Sequence, residues 1–286
     1  MKILFIFFIF TTYLFSSEVV YRPLEAMPYN EKLANIGKKF YFDINLSPKK
    51  ISCNTCHNLN LTGSGTNYSG IITDNEMNPP TILNIAYSNL FFKDADVTNM
   101  KEQVIRSLKN TMEVTEASFN EAVKNNVKYK RRFEKIGLKP SFDSLVDSLV
   151  EFEKSLITID SPFDMYLKGN EKAISENAKK GFELFKHYGC TSCHIGDNFG
   201  GNIIASVDNY FSSACNLNND RVKVPPLRNI EVTAPYGYIG AFENLEDIVM
   251  IMIACQLGIN APYEDIQNIT EFLKTLTGKR PKIMEK

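Results

Sequence analysis

Tryptophan is absent from this chain, and histidine nearly so, with three residues in 286. An excess of charge of either sign is also missing. The 32 basic and 33 acidic residues give no electrostatic argument for a nucleic-acid partner or an anionic membrane surface. No apolar run reaches the roughly 20 residues of a spanning helix. The longest opens the chain, where Met1-Lys2 precede Ile3-Leu4-Phe5-Ile6-Phe7-Phe8-Ile9-Phe10, then Thr11 to Phe15 and the small pair Ser16-Ser17. A charged start, a short apolar core and small closing residues make residues 1–17 a secretory signal peptide. No cysteine follows closely, so a lipid anchor is not expected. The expectation is a periplasmic protein with no stable membrane insertion after signal cleavage. Stretches with the alternation of a strand are few.

The cysteine and histidine that remain are concentrated. Cys53-Asn54-Thr55-Cys56-His57 and Cys190-Thr191-Ser192-Cys193-His194 take four of six cysteines and two of three histidines. Each is the C-x-x-C-H signature of c-type haem attachment. Two thiols three positions apart can add to the two vinyl groups of one haem, while the adjacent imidazole reaches the iron. Zinc ribbons also pair C-x-x-C motifs, but about 15 to 20 residues apart, whereas a domain's length intervenes here. A redox dithiol needs only one pair and no following histidine. Two covalently bound haem c groups are therefore expected, with iron ligated by His57 and His194.

Removing residues 1–17 from 286 leaves 269, enough for two ordinary domains. The pattern is mostly helical. Helices are predicted over Lys32 to Phe42, Met100 to Leu108, Asp143 to Ile159 with Ser141 as N-cap, Ala178 to Phe185, Asn244 to Leu257 and Tyr263 to Leu276. Asp160-Ser161-Pro162 reads as the crossing between domains. Residues 196–219, rich in Gly, Asn, Asp and Ser, read as loop.

Five segments carry a resemblance: residues 51–59 around the first motif, Pro162-Phe163-Asp164 with Tyr166-Leu167-Lys168-Gly169, Pro226-Leu227-Arg228-Asn229-Ile230, Thr233-Ala234-Pro235-Tyr236 and Gln256-Leu257-Gly258. The chain resembles the bacterial dihaem cytochrome c peroxidase family through nearly all of its mature length. The resemblance implies a mainly α fold, two cytochrome c-like haem domains packed around a shared interface, over residues 18–160 and 161–286. It implies reduction of hydrogen peroxide to water with electrons from a small c-type cytochrome, and a homodimer. The C-terminal haem would accept electrons, and the N-terminal haem would bind peroxide.

The resemblance places Met252 opposite His194, and the residues agree, since Leu245, Ile248, Val249 and Met252 share a helical face. His/Met ligation raises a haem potential, as an electron acceptor requires. It makes Glu113 and Gln103 the catalytic pair and adds Arg228 to the cofactor-binding residues. It also implies calcium held by the Asn78 side chain and the carbonyls of Thr233 and Pro235, hard donors that suit that ion.

Three departures stand out. Many family members cap the peroxide iron with a loop histidine, yet residues 68–76 contain none, and His187 reads as a surface residue. The iron then stays open or takes Met77 or Tyr68. Phe92-Lys93-Asp94-Ala95-Asp96 replaces a Trp-Asp-Gly-Arg stretch, and Tyr238 stands where a histidine would. Cys215 and Cys255 could pair in an oxidising compartment, but two free thiols are expected, with Cys255 packing as a small hydrophobe. Other function classes are a dihaem electron carrier with both irons capped, and relatives that oxidise a protein substrate. The latter use tyrosine on the C-terminal iron, and Met252 argues against them.

Overall fold

The computed structural model describes residues 20–59, 78–206, 221–237 and 240–285. Among these the α-helices in chain order are α1 (Glu31–Tyr41), α2 (Cys53–Cys56), α3 (Met100–Arg106), α4 (Glu116–Asn125), α5 (Val127–Glu134), α6 (Phe142–Lys154), α7 (Pro162–Leu167), α8 (Glu176–His187), α9 (Leu245–Leu257) and α10 (Tyr263–Lys274). One short antiparallel pair, β1 (Ile204–Ser206) and β2 (Arg221–Lys223), is the only sheet described.

Each half of the molecule is built on one close helix crossing. In α1, Asn30 accepts a hydrogen bond from Leu33 N, and Lys38 and Lys39 complement the dipole in the last turn. Its buried face, with Ala34, Ile36, Gly37 and Phe40, lies on α6, where Ser141 accepts from Ser144 N as the predicted cap. A Cβ on Gly37 would stand 1.9 Å from the Ser148 carbonyl oxygen, so only glycine permits this approach. The second half repeats the device. Helix α8, capped by Ser175, lies on α10, and a Cβ on Gly181 would stand 1.8 Å from the Asn268 carbonyl oxygen.

Buried residues form two clusters accordingly. One gathers Phe40, Tyr41, Phe119, Phe133, Leu145 and Phe152, the other Phe163, Phe185, Phe199, Ile269 and Phe272. The fold is mainly α with a core in each half, as expected. The joint between them is polar. Buried Thr158 accepts through Oγ1 from Asn84 Nδ2 and Asn229 Nδ2, both at 2.9 Å. Both asparagines have left-handed backbone, a conformation Asn tolerates, and each opens a 3₁₀ turn, Ile85–Tyr87 or Ile230–Val232.

The two chain ends cross over. Tyr21 stacks on Phe199 with centroids 4.0 Å apart, Arg22 pairs with Asp197 at 3.0 Å, and Leu24 N donates to Asp164, so residues 21–24 strap the C-terminal core. Conversely Ile283 and Met284 pack on the N-terminal core, and Arg280 donates to the Leu59 carbonyl at 2.8 Å.

Several predicted details differ. Helix α6 stops at Lys154, not Ile159; Leu156 and Ile157 stay buried in extended chain, which prolonged the apolar spacing. Pro162 opens a helix at its first position, where a missing N–H costs nothing, so α7 stands where a crossing was expected. Strand β1 falls in the segment read as loop. Asn244 makes no cap bond to the backbone; its side chain donates to Asp247 Oδ2 at 3.1 Å. Helices α4 and α5 were not anticipated; half of α5 is Lys and Arg, and only Tyr129 and Phe133 are buried. No described helix is long and apolar enough to cross a membrane, and residues 1–17 lie outside the described residues.

Candidate active site in two cysteine-histidine turns

The first motif is a single helical turn, closed by His57 N donating to Cys53 O at 2.8 Å and anchored by Ser52 N donating to Thr55 Oγ1 at 3.0 Å. The second is a 3₁₀ turn, with Gly189 at φ 83° before it and His194 N donating to Cys190 O at 3.0 Å. Each turn places two thiols and an imidazole together. All four thiols are free and partly buried. Burial pushes Cys53 up to about 12 and Cys190 up to about 11, so both are neutral thiols until they react.

The imidazoles are held alike. His57 Nδ1 lies 2.9 Å from Pro80 O and His194 Nδ1 lies 3.0 Å from Phe199 O. A carbonyl can only accept, so Nδ1 carries the proton and Nε2 keeps its lone pair for a metal. Burial holds both rings below the ordinary histidine range, which favours the neutral, ligating form. A tyrosine grips each motif from behind: Tyr41 OH donates to His57 O, and Tyr21 OH to His194 O at 2.7 Å. Sequence reading missed both tyrosines. Two thiols and one Nε2 per turn suit a covalently attached haem with a proximal histidine, so the residues present fit the implied group twice.

Met252, expected opposite His194, lies half-buried on α9 beside the inward face of Leu245, Val249 and Ile253, while Met250 is exposed. Around the first motif lie Gln103, half-buried on α3, and Glu113, with a π-helical turn, Ser107–Thr111, between them. Such turns are rare and concentrate at functional sites. Glu113 has left-handed backbone at φ 55°, unusual for glutamate, and its carboxylate is more than half exposed, 3.1 Å from Lys49 Nζ. Gln103 instead turns inward, with Nε2 donating to Ser107 Oγ at 3.3 Å. Met112, which ends the π turn beside Glu113, brings Sδ to 3.7 Å from Cys53 Sγ and so ties the turn to the first motif.

Arg228 is fully buried and bound within the protein. It pairs with the equally buried Asp164 at 2.7 Å and donates to Ser161 Oγ, Asp197 O and Arg22 O. Four of its five N–H donors are thereby engaged, so its visible role is to lock the strap to the C-terminal core. Asn78 and Pro235 do meet, with Nδ2 donating to Pro235 O at 2.7 Å, and Asn78 Oδ1 is buried without a partner. Rotating that amide would turn the orphaned oxygen toward the same carbonyl, a donor pair of the kind calcium takes. Among the described residues no cluster of three His, Cys, Asp or Glu could hold a metal. His187 is exposed, as expected. Met77, Tyr68, Tyr238 and Cys215 lie outside the described residues. Cys255 is disulfide-bonded, which corrects the expectation of two free thiols.

Sequence reading also missed Glu153, a carboxyl buried at 8 % exposure on α6 beside Gln103. Its signal was positional: it falls four residues after Leu149 and three before Leu156, within the apolar stripe of the helix.

The family model of di-haem cytochrome c peroxidase matches residues 31–172. The cytochrome c551 peroxidase of Pseudomonas aeruginosa is 32 % identical, the match covering 91 % of this chain and 83 % of the relative. That of Nitrosomonas europaea is also 32 % identical, over 91 % and 84 %. Among solved structures, the diheme peroxidase BthA from Burkholderia thailandensis superposes with a TM-score of 0.67 at 17 % identity, over 92 % of this chain and 91 % of that one, a likeness of fold.

Proposed function

Since this chain belongs to the di-haem cytochrome c peroxidase family, we propose that it works in the periplasm, reducing hydrogen peroxide to water with electrons from a small c-type cytochrome. The observation that carries the reading is the duplicated imidazole geometry, each Nδ1 held by a backbone carbonyl beside two thiols, the tautomer that offers Nε2 as a ligand. When bound, the two haems supply the redox chemistry, one accepting electrons in the C-terminal half and one reducing peroxide in the N-terminal half.

The chain's own residues make the halves unequal. His194 and Met252 would be the protein ligands of one haem iron, the pairing that raises a potential. His57 would hold the other, and Gln103 and Glu113 would serve the peroxide bound there. Glu113 takes the proton of incoming peroxide and returns it to the departing oxygen; its carboxylate, on the exposed side of the π turn with Lys49, is in reach of water for proton exchange. Gln103 orients the peroxide by hydrogen bonding. Calcium, at Asn78 with the carbonyls of Thr233 and Pro235, would pin the N-terminal domain to the C-terminal one, and Arg228 would stabilise the C-terminal haem domain. A homodimer is part of the same reading.

With no histidine in residues 60–77, the oxidised protein is proposed to be active without prior reduction. Stopped-flow mixing of fully oxidised protein with peroxide, alongside its electron paramagnetic resonance spectrum, tests this. A high-spin signal and immediate reaction are expected. Two low-spin signals and no reaction before an electron is added would overturn it, and Met77→Ala and Tyr68→Phe would then identify the capping side chain.

A further inference from the structure

The chain after each motif is built twice on one register. Pro80, Asn84, Ile85, Asn99 and Val104 recur as Pro225, Asn229, Ile230, Asn244 and Val249, every pair 145 residues apart (229 − 84). The backbone repeats with the residues. Asn84 and Asn229 open their 3₁₀ turns, Phe91 bridges Val97 as Tyr236 bridges Phe242, and left-handed Phe92 and Ala95 answer left-handed Gly237 and Gly240. Asn99 and Asn244 then stand at the N-caps of α3 and α9, and buried Val104 and Leu108 match buried Val249 and Ile253. Both helical segments close on a left-handed residue, Glu113 or Gly258. Each end carries the same bond back over the last turn, Val114 N to Leu108 O at 2.8 Å and Ile259 N to Ile253 O at 3.4 Å.

That register sets Ser107 against Met252. Ser107 N still donates to Gln103 O and Val104 O, so the residue keeps the helical register of α3 although the π turn begins there. It is half-buried, as Met252 is, and its Oγ accepts from Gln103 Nε2 at 3.3 Å. Met112, which ends the same turn, lies against Cys53 of the first motif. We propose that Ser107 occupies, at the haem of His57, the ligand position that Met252 fills at the haem of His194, and that its short side chain leaves the iron open to peroxide. The assignment rests on Met252 being the ligand of the second iron. A hydroxyl stops short of where a thioether sulfur reaches. With Oγ accepting from Gln103, the hydroxyl proton is left to donate to a peroxide oxygen. One residue thus separates an electron-accepting haem from a substrate-binding one.

The test restores the missing thioether and reads spectra. In oxidised holoprotein carrying Met77→Ala, so that no loop thioether contributes, Ser107→Met should hold the His57 haem in the low-spin state and about double the far-red thioether-to-iron absorption that Met252 gives alone. Ser107→Cys, nearly isosteric, should give a thiolate-ligated low-spin spectrum at the same haem. Peroxide turnover should be lost in both. A far-red band that does not grow in Ser107→Met, with no thiolate spectrum in Ser107→Cys, would overturn the proposal. Loss of haem from both variants would make Ser107 a packing residue and overturn it equally. Met252→Ala checks the reading beneath: in the same background the far-red band should vanish while the His57 haem keeps its spin state. A band that survives Met252→Ala would sink the ligand assignment and the proposal together. Absence of peroxide turnover in the unaltered protein would sink the proposed function alone, since the spectra still decide the place of Ser107.

Discussion

Gly181→Ala tests how closely the helices of the C-terminal half approach. The new Cβ would stand 1.8 Å from the Asn268 carbonyl oxygen, against 3.4 Å for an ordinary contact, so α8 and α10 must part by about 1.6 Å. Both atoms belong to backbone, and no rotamer change can absorb the clash. Overpacking costs about 1–3 kcal/mol where side chains can adjust, and this site belongs at or above the upper end. Alanine recovers about 1 kcal/mol in helix propensity. The net loss is therefore about 2 kcal/mol or more, on the order of 8 °C in melting temperature for a domain of this size. Thermal unfolding of the haem-loaded protein, followed by circular dichroism and haem absorbance, measures it. A melt within about 2 °C of wild type would refute the crossing. Gly37→Ala, whose Cβ would stand 1.9 Å from Ser148 O, should act equally on the N-terminal half.

Glu113→Gln should cut peroxide turnover by roughly a hundredfold with both haems retained, measured by donor-cytochrome oxidation; unchanged turnover would make it a surface residue. Met252→Ala should lower the potential of the C-terminal haem in a redox titration. Arg228→Ala leaves Asp164 charged and unpaired in the core, and chemical denaturation should show a loss of about 3–5 kcal/mol. Glu153 is raised from 4.5 to about 8, so its contribution is intact below pH 4.5 and is lost as pH rises to about 8. The stability advantage of Glu153→Gln over wild type should accordingly grow by up to about 1.4 kcal/mol per pH unit in that window, read from denaturant midpoints.

Both motifs and the helices α1, α6, α8 and α10 were legible because each carries a local signal, a fixed spacing or an apolar stripe, whereas their pairing through Gly37 and Gly181 was not. Helix α5 was not, since two aromatic residues among lysines and arginines give a weak stripe and tertiary packing supplies the rest. Glu153 hid for the opposite reason: a carboxylate in a helix is ordinarily solvated, and only the structure shows Gln103 turned toward it. The tyrosines behind the imidazoles were invisible in principle for Tyr21, whose partner His194 lies 173 residues away. The roles of Glu113 and Met252 came from resemblance; helical spacing supported Met252, while the left-handed backbone of Glu113 had no local signature.

The strap at residues 21–24 reverses the order in which a ribosome delivers the molecule. Tyr21 leaves the ribosome early, yet its seat, Phe199 and the His194 carbonyl, is made late. Ile283 and Met284 arrive last and seal the half made first. Neither half is closed until both segments are made, so residues 21–24 and 280–284 act as a clasp between the early and late parts of the polypeptide. Proteolysis just downstream of Leu24 would discard one side of that clasp and leave Phe199, the His194 carbonyl and Asp197 without their partners from the strap.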